Sequence, residues 1–343
     1  MARKQVTLTR SDVDAGTPLL QVEDLRTHFL TEGGTVRAVD GVSFSLERGK
    51  TLGVVGESGS GKTILSRSIM GLLPARNVVR TGSARYEGTE VAGQSHAAMR
   101  GLWGTEMAMV FQDPMTSLNP VMKVGNQITE SLRHHLDMDK GEARETAIAL
   151  LRSVGIPEPA QRVKEYPHQL SGGMRQRVMI AIALACGPRL LFADEPTTAL
   201  DVTVQAQILD LLSAQQTERH MAMVLITHDL GVVAETCERV LTMYAGQLVE
   251  HAQVDDALEF PRHPYTSGLL AAIPRAGVAA EDLESIPGRV PPIHEFPTGC
   301  RFAPRCPYRE PACDRPQPLV EAGAGRWVRC WRHDQLELAG AVR

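Results

Sequence analysis

The stretch Gly56-Glu57-Ser58-Gly59-Ser60-Gly61-Lys62-Thr63 follows the pattern G-x-x-x-x-G-K-T of a phosphate-binding loop. Glycines permit the positive φ angles of a tight loop, whose backbone N–H groups then turn inward and bind an anion. An apolar run, Thr51 to Val55, precedes the loop, and apolar residues recur at helical spacing from Ile64 to Leu73. The stretch therefore predicts a strand, a loop and a helix whose N-terminus binds a nucleoside triphosphate.

The length and charge of the chain restrict its class. It has 343 residues and a net charge of −4, which does not support nucleic-acid binding. No apolar run approaches the ~18 residues that would span a bilayer. Residues 1–5 lack the apolar core of a signal peptide. We expect a cytosolic protein that meets the membrane only through a partner.

Polar residues end three further predicted strands. These strands are Met107 to Phe111, Arg189 to Asp194 and Ala222 to Thr227. Gln112, Asp194 and His228 stand at or directly after their ends. Strands that alternate with helices indicate an α/β fold with a doubly wound parallel sheet, and such folds bind ligands beyond the carboxyl ends of the strands. We therefore expect these side chains near the phosphate-binding loop.

The polar strand ends suit ATP hydrolysis. Lys62 would contact the β- and γ-phosphates, while Thr63 and Asp194 would hold Mg²⁺. Glu195 could polarise the attacking water, and His228 could contact the γ-phosphate or hold that water. The alternative for the two carboxylates is an N-cap and a solvated surface acid. Another site residue, Phe29, would stack on adenine or pack beneath a hairpin.

The run Leu170 to Met174 reads LSGGM and resembles the signature motif of ABC-type ATPases. Across residues 19–250 the other family motifs follow in the family's order: Gln112 as Q-loop, Asp194-Glu195 as Walker B with its glutamate, Asp201 in the D-loop, and His228 as the switch histidine. The resemblance implies that each ATP lies between one subunit's P-loop and its partner's signature loop. Ser171, Gly172 and Gly173 would thus serve the partner's site.

The resemblance also implies the roles of individual residues. The expected ATP-binding set is Phe29, Gly56, Glu57, Ser58, Gly59, Ser60, Gly61, Lys62, Thr63, Gln112, Asp194 and His228. The expected catalytic residues are Glu195, His228 and Gln112, and the expected Mg²⁺ ligands are Thr63, Gln112 and Asp194.

Three segments resemble the ATPases of oligopeptide and dipeptide importers: Phe111 to Pro120, Leu170 to Arg177 and Asp194 to Gln207. Within that group the chain is similar to the D-type subunit. The resemblance implies a second ABC ATPase subunit, of the F type within this importer group, with which the chain would form a heterodimer. It also implies two transmembrane permeases and an extracytoplasmic solute-binding protein. It places the chain at the cytoplasmic face of the cell membrane. The same features occur in importers of nickel and other small solutes, so these solutes stay an alternative.

Two more distant alternatives are a soluble ABC ATPase of DNA repair or translation and one half of an exporter. Repair members insert long coiled coils, and translation members carry two cassettes on one chain. An exporter half normally has fused membrane spans. The sequence shows none of these features.

Four cysteines lie in the last 44 residues with the spacing C-x5-C-x6-C-x16-C: Cys300, Cys306, Cys313 and Cys330. Disulfides are rare in the cytosol, and four thiolates suit a tetrahedral metal or a cubane cluster. The tail resembles the C-terminal extension of peptide-importer ATPases, some of which carry a 4Fe–4S cluster there. Zinc and free structural thiols are the alternatives. We expect Cys306→Ser to loosen the tail without affecting nucleotide binding at Lys62.

The expected fold class is α/β, a P-loop ABC ATPase core with a mostly parallel sheet and an antiparallel β subdomain. A helical subdomain and a loop-rich, metal-binding C-terminal extension complete it. The expected domains are a leader at residues 1–18, an ABC ATPase domain at 19–260 with a helical subdomain at about 114–185, and the extension at 261–343.

Overall fold

The computed structural model describes residues 17–74, 76–198, 200–273, 286–292 and 295–341. Nearly all of the predicted leader lies outside these ranges. The described chain divides into two compact units, one formed by residues 95–224 and the other by residues 17–94 and 225–341. The predicted domain boundaries remain a prediction.

The strands, in chain order, are β1 (Leu20–Thr31), β2 (Gly34–Leu46), β3 (Thr51–Val55), β4 (Val78–Tyr86), β5 (Thr89–Glu90), β6 (Met107–Val110), β7 (Leu190–Asp194), β8 (Ala222–Ile226), β9 (Arg239–Tyr244), β10 (Gln247–Gln253), β11 (Val320–Glu321) and β12 (Trp327–Val328).

The helices are α1 (Lys62–Ile69), α2 (His96–Met99), α3 (Pro114–Ser117), α4 (Val124–His135), α5 (Lys140–Ser153), α6 (Pro159–Arg162), α7 (Gly172–Leu184), α8 (Val202–Arg219), α9 (Leu230–Thr236), α10 (Val254–Glu259) and α11 (Pro264–Ala271). Short 3-10 helices cover Pro167–Gln169, Ala303–Arg305 and Pro311–Asp314. Within the described ranges, no helix has the length and apolar character needed to cross a membrane.

The unit of residues 17–94 and 225–341 contains an antiparallel sheet in the order β2-β1-β4-β5. In β1, Leu20, Val22 and Leu25 are buried, while Glu23 and Asp24 are exposed. The alternation breaks at Asp24, whose φ is +43° and where the pairing with β2 shifts register. One face of this sheet therefore packs into the core, as period-2 patterning requires.

The same unit contains the strand that leads into the phosphate-binding loop. β3 pairs parallel to β9, with Leu52 opposite Arg239 and Val55 opposite Thr242. β10 pairs antiparallel to β9 and to β12, and β12 pairs with β11. Every residue of β3 is buried, as expected of a strand covered on both faces. The short strands of the C-terminal region thus extend the sheet that carries the phosphate-binding loop.

The unit of residues 95–224 combines parallel strands with helices. β6 and β7 pair in parallel, with Met107 opposite Leu190 and Val110 opposite Ala193, and both strands are buried throughout. In α4, Val124, Ile128 and Leu132 are buried at intervals of four, which gives the helix one apolar face. The chain from residue 124 to residue 162 is therefore largely helical, in α4, α5 and the short α6.

Candidate nucleotide-binding site

The phosphate-binding loop lies between β3 and α1, as the sequence predicts. Gly56, Gly59 and Gly61 have φ values of +148°, +79° and +99°. A Cβ on Gly56 would lie 2.1 Å from the Met243 carbonyl oxygen, and one on Gly61 would lie 2.2 Å from that of Ala38. Positive φ and close backbone approach together require glycine at both ends of the loop.

Lys62 is the first residue of α1, and its side chain is buried. Its Nζ donates hydrogen bonds to the carbonyl oxygens of Gly56, at 2.7 Å, and Glu57, at 3.0 Å. The loop's own backbone thus holds the lysine over the loop. The hydroxyl of Ser60 is buried and has no hydrogen-bond partner within the described part of the chain. The glycine cradle and this hydroxyl fit a phosphate group as ligand.

His228 follows β8 and is exposed. Together with Glu57, Ser58 and Arg289 it lines an open cavity of ≈ 560 Å³ beside the loop. Its predicted position near the loop is therefore matched by a shared cavity. Phe29, which also belongs to this unit, is half-buried on β1 and lies opposite Val36 in β2 and Val78 in β4. Stacking of adenine on Phe29 stays a prediction.

Three of the predicted site residues lie together in the unit of residues 95–224. Asp194 is the fully buried last residue of β7, and Glu195 follows it with a φ of +45°. The Nε2 of Gln112 and the hydroxyl of Thr198 each donate a 2.9 Å hydrogen bond to Oε2 of Glu195. A non-glycine residue in the left-handed region is unusual, and such conformations concentrate at functional sites. The contact with Thr198 has no local signal in the sequence.

The signature residues open α7. Ser171 is the N-cap, and its Oγ accepts a 3.3 Å hydrogen bond from the backbone N–H of Met174. Gly172 and Gly173 form the first turn, where backbone N–H groups have no partner inside the helix. A Cβ on Gly173 would approach Cγ1 of Val204 in α8 to 2.9 Å. The packing of Val204 against α7 therefore favours glycine at position 173.

Asp201 is itself the N-cap of α8, with its Oδ1 accepting from the N–H of Val204 at 3.0 Å. The structure thus gives the predicted D-loop residue a local structural role. Any further role across a subunit interface stays a prediction.

The four cysteines of the tail line one small cavity of ≈ 20 Å³ together with Phe302 and Trp331. The indole Nε1 of Trp331 donates to Sγ of Cys313 at 3.4 Å. Burial, with a smaller contribution from the neighbouring thiols, raises the pKa of Cys306 and of Cys330 to about 11. All of these thiols are free.

A metal-binding extension is not shown by this geometry. Over the described ranges, no group of three or more His, Cys, Asp or Glu side chains is arranged to hold a metal ion. The donors needed for a thiolate-bound metal line the same cavity.

Two residues of the C-terminal region contact the phosphate-binding loop, and no sequence pattern marks either as a loop contact. Arg305 forms an ion pair with Glu57, and the Tyr265 hydroxyl accepts a hydrogen bond from the Glu57 N–H. Arg305 lies 248 residues from Glu57, beyond the reach of any local pattern.

Comparison with known proteins identifies both parts of the chain. The ABC transporter family model matches residues 39–198, and the model for the oligopeptide/dipeptide transporter C-terminal region matches residues 249–313. The chain is 50% identical to the oligopeptide transport ATP-binding protein AppD of Bacillus subtilis (strain 168), over 92% of this chain and 97% of AppD. It is 49% identical to the dipeptide transport ATP-binding protein DppD of Escherichia coli (strain K12), over 94% and 98%.

Solved structures agree on the fold. The dimeric structure of MJ0796, a bacterial ABC transporter cassette, superposes with a TM-score of 0.62 at 25% identity, and covers 68% of this chain and 98% of that cassette. The expected P-loop ABC ATPase core is therefore confirmed. The chain belongs to the family of ABC transporter ATP-binding proteins that carry the oligopeptide/dipeptide transporter C-terminal region.

Proposed function

We propose that this chain is the ATP-hydrolysing subunit of an ABC importer for dipeptides or oligopeptides. The observation that carries the proposal is the near 50% identity to AppD and DppD over more than nine-tenths of each chain. That similarity includes the C-terminal region named for this transporter class. The phosphate-binding loop and the carboxylates after β7 supply the groups that ATP hydrolysis needs.

The loop residues would bind the triphosphate. Backbone N–H groups of the loop and the Lys62 ammonium would bind the phosphate oxygens, because both point to one small anion site at a helix N-terminus. Bound Mg²⁺, held by Thr63, Gln112 and Asp194, would neutralise part of the phosphate charge. These residue types fit that ion, since Mg²⁺ prefers oxygen ligands.

Glu195 would act as the general base. Its carboxylate would take a proton from water as the water oxygen bonds to the γ-phosphorus and the bond from that phosphorus to the β–γ bridging oxygen breaks, giving ADP and phosphate. Hydrogen bonds from Gln112 and Thr198 orient the carboxylate. His228 would contact the γ-phosphate or hold the attacking water.

The N-terminus of α7 would bind ATP held by a second ATPase subunit. Ser171, Gly172 and Gly173 place backbone N–H groups, which have no partner inside the helix, at the positive end of a helix of 13 residues, which favours an anion. The proposed partners are an F-type ABC ATPase subunit, which would form a heterodimer with this chain, two permeases and a solute-binding protein. The permeases would hold the chain at the cytoplasmic face of the membrane.

The tail would bind a 4Fe–4S cluster through Cys300, Cys306, Cys313 and Cys330. Support comes from the cavity that all four thiols line together. Anaerobically purified protein should contain iron and sulfide and absorb near ~400 nm. Stoichiometric zinc in colourless protein would contradict the cluster and keep a metal site, whereas four freely titratable thiols with no metal would contradict both.

Uptake by cells tests the proposed function. Cells that lack this chain should not accumulate a labelled dipeptide or oligopeptide, and the wild-type gene should restore uptake. Lys62→Ala should fail to restore it, because the phosphates would lose their cationic partner. Nickel uptake, measured in the same cells, decides between a peptide and a metal as solute. Normal uptake of both without the chain would contradict an importer role and favour an ATPase that works apart from permeases.

A further inference from the structure

Glu57 is the second residue of the phosphate-binding loop, and three of its groups are held at once. Its carbonyl oxygen accepts a hydrogen bond from Lys62 Nζ at 3.0 Å. Its backbone N–H and its carboxylate both bond to side chains of the C-terminal region, Tyr265 and Arg305. The residue therefore links the phosphate-binding lysine to a part of the chain that follows it by about 200 residues.

Arg305 forms a bidentate ion pair with the carboxylate of Glu57. Its Nη1 lies 2.6 Å from Oε2 and its Nη2 lies 3.0 Å from Oε1. The guanidinium is 5% exposed, and its Nε donates to the Pro287 carbonyl oxygen at 2.8 Å. A forked pair between a buried arginine and a carboxylate fixes direction as well as distance. The side chain of Glu57 thus has one defined orientation.

Tyr265 fixes the backbone of the same residue. Its hydroxyl accepts from the Glu57 N–H at 2.8 Å. The ring is fully buried and packs edge-on against Tyr244, with ring centroids 4.6 Å apart, and against Phe302 at 5.3 Å. Because Phe302 is three residues before Arg305, this aromatic cluster supports both contacts to the loop.

A second arginine of the same segment contacts residues that lie beside the loop. Arg301 pairs with Asp40 and donates to the Ala245 carbonyl oxygen at 2.5 Å. The neighbouring Gly246 donates its N–H to the Ser60 carbonyl oxygen at 2.9 Å. The segment between Cys300 and Cys306 therefore contacts the loop directly at Glu57, and at Ala245 it contacts the neighbour of the residue that bonds to Ser60.

We propose that Arg305 and Tyr265 are positioning residues for ATP, and that the C-terminal region sets the nucleotide affinity of the phosphate-binding loop. This inference rests on the proposed function, because it takes the loop to bind ATP. A loop that is already held in its binding conformation does not lose conformational freedom when the ligand binds. Release of Glu57 would let the loop and Lys62 sample conformations that do not bind, and the measured affinity would fall by the fraction that remains competent.

ATP affinity of the full-length chain tests the inference. Arg305→Gln and Glu57→Gln should each weaken ATP binding by about fivefold or more, and the double variant should be no weaker than either single variant, because both remove one interaction. Arg305→Lys keeps a charge without the fork and should recover part of the affinity. The matched control is Arg309→Gln, whose exposed ion pair with Asp314, at 3.1 Å, lies in the same region. That control should bind ATP as wild type does.

Turnover provides a readout that general destabilisation would not move. In the assembled transporter, Arg305→Gln should raise KM for ATP and leave kcat nearly unchanged, since the chemistry after binding keeps its groups. Unchanged affinity and KM in folded Arg305→Gln, or tighter binding, would overturn the inference. Should that variant fail to fold, Tyr265→Phe, which loses only the hydroxyl, decides the matter: wild-type affinity there would overturn it. A wild-type chain that binds no ATP would instead contradict the proposed function.

Discussion

At the scale of single residues, Glu195 combines a backbone φ of +45° with two hydrogen bonds to one carboxylate oxygen. A glutamine there keeps an oxygen that can accept these bonds and loses the basic carboxylate. Glu195→Gln should still bind ATP, while hydrolysis of the ATP at this chain's phosphate-binding loop falls by about 10²–10⁴-fold. Single-turnover phosphate release by the assembled transporter measures this.

The matched control is Glu158→Gln, because Glu158 also has a left-handed backbone, with φ +50°, but lies exposed at the start of α6. Its substitution should leave hydrolysis unchanged. A normal rate in Glu195→Gln would show that this residue is not the base.

His251 makes the stability of the protein depend on pH. It is buried on β10, and its Nε2 accepts a 2.9 Å hydrogen bond from Arg239. Burial, and then the charge of Arg239, lower the pKa of His251 to about 3. Because the folded-state pKa is lowered, the contribution of neutral His251 to the free energy of unfolding is fully present above the unfolded pKa of about 6.5. That contribution is lost as the pH falls from there towards 3.

The free energy of unfolding should therefore fall by up to about 1.4 kcal/mol per pH unit below pH ~6.5 on account of this residue. His251→Gln keeps an acceptor for Arg239 without a titrating ring, and should reduce the slope between pH 7 and 5 in urea unfolding; the rest of the slope includes that of His263, whose pKa burial also lowers to about 3. His134→Gln, at an exposed position in α4, is the control and should keep the wild-type slope. An equal slope in His251→Gln would contradict the assignment.

At the scale of elements, α7 begins at the signature residues and is capped by Ser171. Ser171→Arg places a bulky cation where the partner's γ-phosphate is expected, so it should abolish ATP-driven closure of the two ATPase subunits. The affinity of this chain for its own ATP should stay nearly intact. Measurements of hydrolysis in the assembled transporter and of ATP binding by the isolated chain separate the two effects.

Asp139→Ala is the control for the loss of a helix cap alone. The side chain of Asp139 caps α5 by accepting hydrogen bonds from the N–H groups of Gly141 and Glu142. This substitution should cost about 1 kcal/mol of stability and leave hydrolysis intact. If Ser171→Arg weakened ATP binding by the isolated chain as much as it weakened hydrolysis, the signature loop would act within its own subunit.

The sequence was informative where local patterns decide the structure. The apolar run 51–55 corresponds to β3 and the run 107–111 to β6. Asp194 and Glu195 stand out in the sequence because they follow the apolar residues of β7. β11 and β12 span two residues each, too short for periodicity to show, yet they join the C-terminal region to the sheet. The position of Thr198 beside Glu195 depends on a turn that the strand and helix patterns do not determine.

At the scale of the whole molecule, the tail and the phosphate-binding loop are not separate modules. From the sequence alone, nucleotide binding is expected to be unaffected by changes at Cys306. Arg305, its immediate neighbour, is paired with Glu57 inside the loop, so that independence does not fit the structure. Such a contact follows from tertiary packing, and no pattern within the tail could have predicted it.

Cys306→Ser should therefore loosen the tail and also weaken ATP binding, because it disturbs the segment that carries Arg301 and Arg305. Limited proteolysis of the tail and ATP titration of the full-length chain measure the two effects. Cys186→Ser, a thiol outside the tail, should change neither. A loosened tail with wild-type ATP affinity would contradict the coupling and restore the expectation of independent modules.

Whether ATP hydrolysis by this chain drives peptide import is tested most directly by measuring hydrolysis and peptide uptake in the same vesicles. The vesicles contain the assembled transporter, and peptide-loaded binding protein is then added. With the wild-type chain, peptide accumulation should require Mg²⁺ and ATP, and hydrolysis should rise when the loaded binding protein is added. With Glu195→Gln, accumulation should fall by well over tenfold, in proportion to the lost chemistry. Peptide accumulation without ATP, or at the wild-type rate with Glu195→Gln, would contradict the central claim that this chain drives import by hydrolysing ATP.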